Sequence, residues 1–151
     1  MTAARVLLLT LLLGACACAR GLPEPVDPAS SDSCAFCRMT VSDPRLAAQI
    51  VAVGEEPRFF DDIGCLVNWL KDNRPPQEAI AFVGDHRTGR WALAAAAVYT
   101  RVAGLQTPMG SGLIAHADAA SRDQDPAARG GTPQTLEQVF GGRPPIFADA
   151  H

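Results

Sequence analysis

Cys34, Cys37 and Met39 fall within six positions, in the run CAFCRM. Two thiols and a thioether at this spacing can be a disulfide, half of a zinc site or a soft-metal clamp. The readings need different backbones. In an extended segment Cys37 and Met39 face one side, with Cα atoms about 6.5 Å apart, and both sulfurs can close on one ion. Cys34 then points to the opposite face, and a Cys34–Cys37 bridge needs a tight turn instead. Thiolate with thioether is a soft donor set that selects Cu(I), whereas zinc takes four N, O or S ligands among which methionine is not usual. A zinc site would have to draw on Cys34, Cys37, Cys65 and one histidine, and no second C-x-x-C supports it. A redox C-x-x-C belongs at a strand-to-helix junction, but here a proline-containing stretch precedes the motif and TVSDP follows it.

Met109 lies between Pro108 and Gly110 in TPMGSG, a turn-forming hexapeptide with no apolar stripe to bury it. It is either a further thioether donor or an ordinary hydrophobic contact from a turn. The glycines do not make a phosphate loop, because no Gly-Lys-Ser/Thr follows. His86 sits at a strand exit, as a solvated histidine or as a third copper ligand. His116, on an alternating strand, reads as a satisfied histidine, and His151 as an inert tail residue. Cys65 falls beside a helical apolar stripe and reads as a small structural cysteine, with metal or redox involvement as the alternative. Asp61 and Asp62 read as helix caps.

The elements that must carry these residues follow from the pattern. AAQIVAV (47–53), GEEP and RFF (58–60) predict a hairpin. In DDIGCLVNWLKDN (61–73), Ile63, Leu66, Val67 and Leu70 have helical spacing, with Asp61 or Asp62 to cap it and Asn73 and Pro75 to stop it. AIAFVGD (79–85) is a third strand. The second half repeats the order, with strands at 95–102 and 113–117, a short helix in 117–131 broken near Pro126, and a closing strand or turn at 132–140. The expected fold is α+β: two small, similar β-β-α-β units in tandem, at 34–85 and 86–140, behind a flexible tether. Residues 141–151 read as a loose tail.

The N-terminus reads as a lipoprotein leader. One charge, Arg5, precedes VLLLTLLL, a run far below the roughly 20 apolar residues that span a bilayer. LGAC then offers Cys16 as the lipid acceptor. Ordinary signal-peptide cleavage near Cys18 is the alternative. Residues 1–15 are the expected signal peptide, and the Pro/Ser/Asp-rich stretch up to residue 33 the tether. Cleavage before Cys16 leaves 12 basic against 16 acidic residues, a formal −4. That balance, with no basic run, argues against a nucleic-acid partner and assigns membrane attachment to the lipid.

CAFCRM with SDPRLAAQIV, then FFDDIGCLVNWL, then TPMGSGLIA, in that order, resembles the NosL family of copper-delivery lipoproteins over roughly residues 34–140. The resemblance implies a single Cu(I) held by soft ligands, Cys37, Met39 and Met109, with Cys34, His86 and Cys65 as secondary candidates. It implies a periplasm-facing, lipid-anchored copper chaperone rather than an enzyme. The partners it implies are a copper-accepting periplasmic enzyme, nitrous oxide reductase, and a membrane transporter complex assisting its maturation. A lipid-anchored thiol-disulfide oxidoreductase using Cys34 and Cys37 is the alternative. His116 stands where the family pattern has an aromatic residue, and Pro126 interrupts the second helix.

Overall fold

The computed structural model describes residues 22–142. The leader, Cys16 and most of the tail lie outside them. β1 (Ala48–Val51) is buried along its whole length and pairs antiparallel with β2 (Arg58–Phe60) on one side and β3 (Ile80–Gly84) on the other. The β-branched AQIV run suits such a central position. The turn between β1 and β2 needs Gly54, whose φ of +79° is left-handed. β4 (Trp91–Leu93), not anticipated from the sequence, joins β3 and completes the order β2-β1-β3-β4.

The second sheet is antiparallel too, with order β6-β5-β7, built from β5 (Val98–Arg101), β6 (Leu113–His116) and β7 (Thr132–Gln134). Its first strand is shorter than expected. Ala94–Ala96 form a turn, closed by Ala97 N–H donating to Leu93 O at 3.0 Å. A parallel bridge between Asp85 and Ala115 joins the two sheets.

α1 (Ile63–Asp72) lies across the molecule and packs on β1, β2 and β6. Asp62 caps it by accepting from Gly64 N–H at 2.6 Å, and Asn73 ends it. Its buried face is Ile63, Cys65, Leu66 and Leu70; Val67, expected in that stripe, is only partly buried, and Cys65 is added to it. Phe60, Ile63 and Leu66 share one core with Tyr99 and Phe140, so both sheets contribute to the main apolar interior. Val51, Ile80 and Phe82 form a smaller cluster of their own with Trp91. Tyr99 donates its hydroxyl to Ala94 O at 2.7 Å and meets Phe140 edge-on.

The expected second helix is α2 (Ala119–Gln124), followed by a 3₁₀ turn at Pro126–Ala128. Pro126 stands at the start of that turn, where a missing N–H costs nothing. Residues 132–140 are both strand and helix: β7 is followed by α3 (Leu136–Phe140). α3 starts with a capping box, in which Thr135 and Gln138 satisfy each other's backbone N–H. T-x-x-Q before an apolar pair carried that signal in the sequence.

The fold is therefore mixed α+β with two antiparallel sheets. Equivalence between the halves goes no further than element order, because one sheet has four strands and the other three, and their helices span 10 and 6 residues. Part of the expected tether is docked. The buried Gln49 amide exchanges two hydrogen bonds with the Val26 backbone, and Trp91 donates its indole N–H to Asp27 at 2.9 Å. Among the described residues no helix is long and apolar enough to cross a membrane.

Candidate metal centre

CAFCRM is a closed turn rather than an extended segment. Arg38 N–H donates to Cys34 O at 3.0 Å, and Cys34 N–H donates to Met39 O at 2.8 Å. Arg38 takes φ +70°, which reverses the chain and lets Ser33 bridge Thr40. The alternation that put Cys34 and Cys37 on opposite faces therefore does not apply. Cys37 N–H instead points at Cys34 Sγ, at 3.5 Å.

The turn is pinned to the second strand by Ala35 N–H donating to Phe59 O at 2.8 Å. This brings it over the N-terminus of α1, where Asp61 and Cys65 lie. Cys34, Cys37, Asp61 and Cys65 each offer a ligand atom, all within 4.8 Å of one another. Cys34, Cys65 and Asp61 are buried, and Cys37 faces the outside in part. All three cysteines are free thiols. The Cys37 thiol is 3.3 Å from both Asp61 oxygens and donates to that carboxylate.

This arrangement opposes ionisation. Burial, with hydrogen bonds to Cys34 and Asp61, pushes the Cys37 thiol up to about 11. Burial raises Cys65 further still, helped by Asp61 and Cys34. Every proton removed adds an anion beside a carboxylate, so the cluster stays neutralised by protons or by a cation that replaces them. Three thiol sulfurs among the four donors favour a soft ion.

Asp61 was expected only as a cap. Asp62 performs that role alone, which frees its neighbour to face the sulfurs. Two adjacent acids at a helix start, where one cap suffices, were the available sequence signal. Asp62 Oδ2 also accepts from Thr107 Oγ1 at 2.6 Å and from Met109 N–H at 3.0 Å. The TPMGSG turn is thereby fastened to the same helix terminus. A Cβ on Gly64 would lie 2.8 Å from Ser111 Cβ, so this close approach depends on glycine. Met39 and Met109 are both exposed, at 44% and 46%, so neither is core filler.

His86 lies in a second cluster, with His116 and Asp125, rather than with the sulfurs. Its Nδ1 is 2.6 Å from Asp125 Oδ2, and His116 Nε2 is 2.9 Å from the same oxygen. His116 is fully buried, as a satisfied histidine would be at one nitrogen, but its Nδ1 has no partner. His151 lies outside the described residues.

No significant match was found among curated proteins or among solved structures. Residues 25–140 match the family model for NosL, a family of copper-binding accessory proteins, and the chain belongs to that family.

Proposed function

We propose that the protein carries Cu(I) as cargo and delivers it, from the periplasmic face of a membrane, to nitrous oxide reductase. The observation that carries this reading is the convergence of three thiols and a carboxylate behind the partly open Cys37, with Met39 and Met109 exposed nearby in sequence and anchorage. Cys37 is the outward sulfur that accepts the ion as its thiol proton is given up, and takes a proton back as the ion leaves. Met39 leaves the same turn, and Met109 is held by the helix start that presents Asp61 and Cys65. Thioethers at the surface give an incoming or departing Cu(I) soft donors without adding charge. Transfer needs an acceptor ligand to bind before the old ones let go, which an open side at Cys37 allows.

A lipid on Cys16, after removal of residues 1–15, would anchor the protein facing the periplasm. A transporter complex assisting maturation of the reductase would meet it there. The shared strand-strand-helix-strand order is consistent with a tandem origin of the halves at 34–85 and 86–140, on which the copper role does not depend.

The oxidoreductase reading, on Cys34 and Cys37, draws support from the C-x-x-C turn. Burial and hydrogen bonds to Cys34 and Asp61, however, push the Cys37 thiol up, away from the thiolate that attacks a disulfide. Anaerobic titration of the reduced protein with Cu(I), in competition with a chromophoric chelator, tests the proposal. One tightly held Cu(I), lost in Cys37→Ser, is expected. Disulfide exchange with a model dithiol and no tight copper would reverse it.

A further inference from the structure

We propose that His86, His116 and Asp125 form a second metal site, chemically distinct from the sulfur cluster, for a divalent transition ion of borderline softness such as Zn(II). The three ligand atoms already converge. His86 Nδ1 and His116 Nε2 both point at Asp125 Oδ2, at 2.6 and 2.9 Å, and all three lie within one 4.8 Å cluster. Zn–N and Zn–O bonds of about 2.0–2.1 Å in a tetrahedron place ligand atoms about 3.3 Å apart. An ion therefore fits against Asp125 Oδ2 if each histidine–carboxylate pair opens by less than about 1 Å. Two imidazoles and one carboxylate are the donors that zinc and its neighbours take, and they offer Cu(I) no sulfur.

The scaffold around the ligands is fixed by bonds that leave the ligand atoms free. Asp125 Oδ1 accepts from Ala127 N–H at 2.9 Å, which orients Oδ2 towards the rings. His86 is held to β6 by its own backbone N–H donating to Ala115 O at 2.8 Å, beside His116. The neighbouring Asp85 is occupied elsewhere, accepting from Ala117 N–H and Ser121 Oγ. The His86 side chain keeps 15% exposure, which leaves a route for a fourth ligand, a water. A cavity of about 480 Å³ opens on the Asp125 side, lined also by Asp123, Arg122 and Arg129. Arg122 in that wall is tied to Asp123 at 2.7 Å.

Two features set the kind of site. It has three protein ligands, not four, and the buried His116 Nδ1 has no acceptor for the proton that metal at Nε2 would leave there. Metal-bound histidines ordinarily have that second partner. The geometry therefore fits an exchangeable ion and not a permanent structural one. This inference does not rest on the copper reading, because the two clusters share no residue.

The test is to titrate the full chain, reduced and anaerobic, with Zn(II) while following histidine ring nitrogens by NMR. His86 Nδ1 and His116 Nε2 should shift together, saturating at one equivalent. In Cys37→Ser, which disables the sulfur cluster, Co(II) should give tetrahedral ligand-field bands without thiolate charge transfer. His86→Ala, at a partly exposed position, should weaken this binding at least about 100-fold. Ring resonances that stay unmoved would overturn the site and leave the three residues as a hydrogen-bonded clamp. So would Co(II) bound only with thiolate charge transfer, or binding that survives His86→Ala. The wild-type NMR arm decides even if a buried variant fails to fold.

Discussion

The sulfur cluster and the imidazole cluster use one plan with opposite proton chemistry. In each, a buried carboxylate gathers donors from separate segments, Asp61 beside three thiols and Asp125 between two imidazoles. Around Asp61 the thiol protons are held tightly, with Cys37 raised to about 11 and Cys65 raised further. At Asp125, burial pushes the carboxyl up, but hydrogen bonds from His116 and His86 outweigh it and hold the carboxyl below its usual range. The first cluster is closed by protons that a soft cation must displace. The second already carries its negative charge. Donor chemistry, rather than cluster shape, separates what the two can hold.

The largest expected effect is on the sulfur side. Cys37→Ser should lower Cu(I) affinity by orders of magnitude while leaving the imidazole cluster's response to Zn(II) intact. Because CAFCRM is a turn, Cys34→Ser should cost more than Met39→Leu or Met109→Leu, the reverse of the order an extended segment implies. Leucine preserves most of the methionine volume, so those two variants should fold and report ligation. Chelator competition measures all four. A silent Cys34→Ser would mean that its sulfur, though near, does not ligate.

An intermediate effect is expected at Gly64. Gly64→Ala forces a methyl against Ser111 Cβ and Asp62 Oδ1, at 2.8 and 3.0 Å. Overpacking of this kind costs about 1–3 kcal/mol, readable by denaturant unfolding. It also displaces the turn that carries Met109, so Met109→Leu should have little further effect on copper in that background. Additive losses would show that Met109 acts independently of this docking.

The smallest effect is the pH signature that contrasts the clusters. In the metal-free protein, alkylation of Cys37 should rise with a midpoint near 11 instead of 9.0. The unfolded chain loses that proton first, so this contribution to stability is full below 9.0 and falls as pH climbs through 11. Asp125 works in reverse: its contribution is present above 3.8 and is lost as pH falls through its lower folded value. Asp61→Asn should move the Cys37 midpoint down, and Asp125→Asn should flatten the acid limb. Unfolding followed across pH separates the two limbs.

Local physics made much of this protein legible in its sequence. Ile63, Leu66 and Leu70, the cap at Asp62, the β-branched strands and the glycines of TPMGSG depend on neighbours within a few residues, and all lie where spacing places them. Soft-donor chemistry at Cys37 is likewise a property of residue type. The tertiary structure decided what spacing cannot. An extended and a turned CAFCRM have the same sequence pattern, and the turn is selected by its docking on Phe59 and by a left-handed Arg38. Asp61 and Cys65 join Cys37 across 24 or more positions because the turn packs over the start of α1. His86, His116 and Asp125 meet only because two sheets close at the Asp85–Ala115 bridge. Periodicity assigns a side chain to a face of its own element. Which faces then meet is settled by how the elements pack against one another, and that is where both clusters arise.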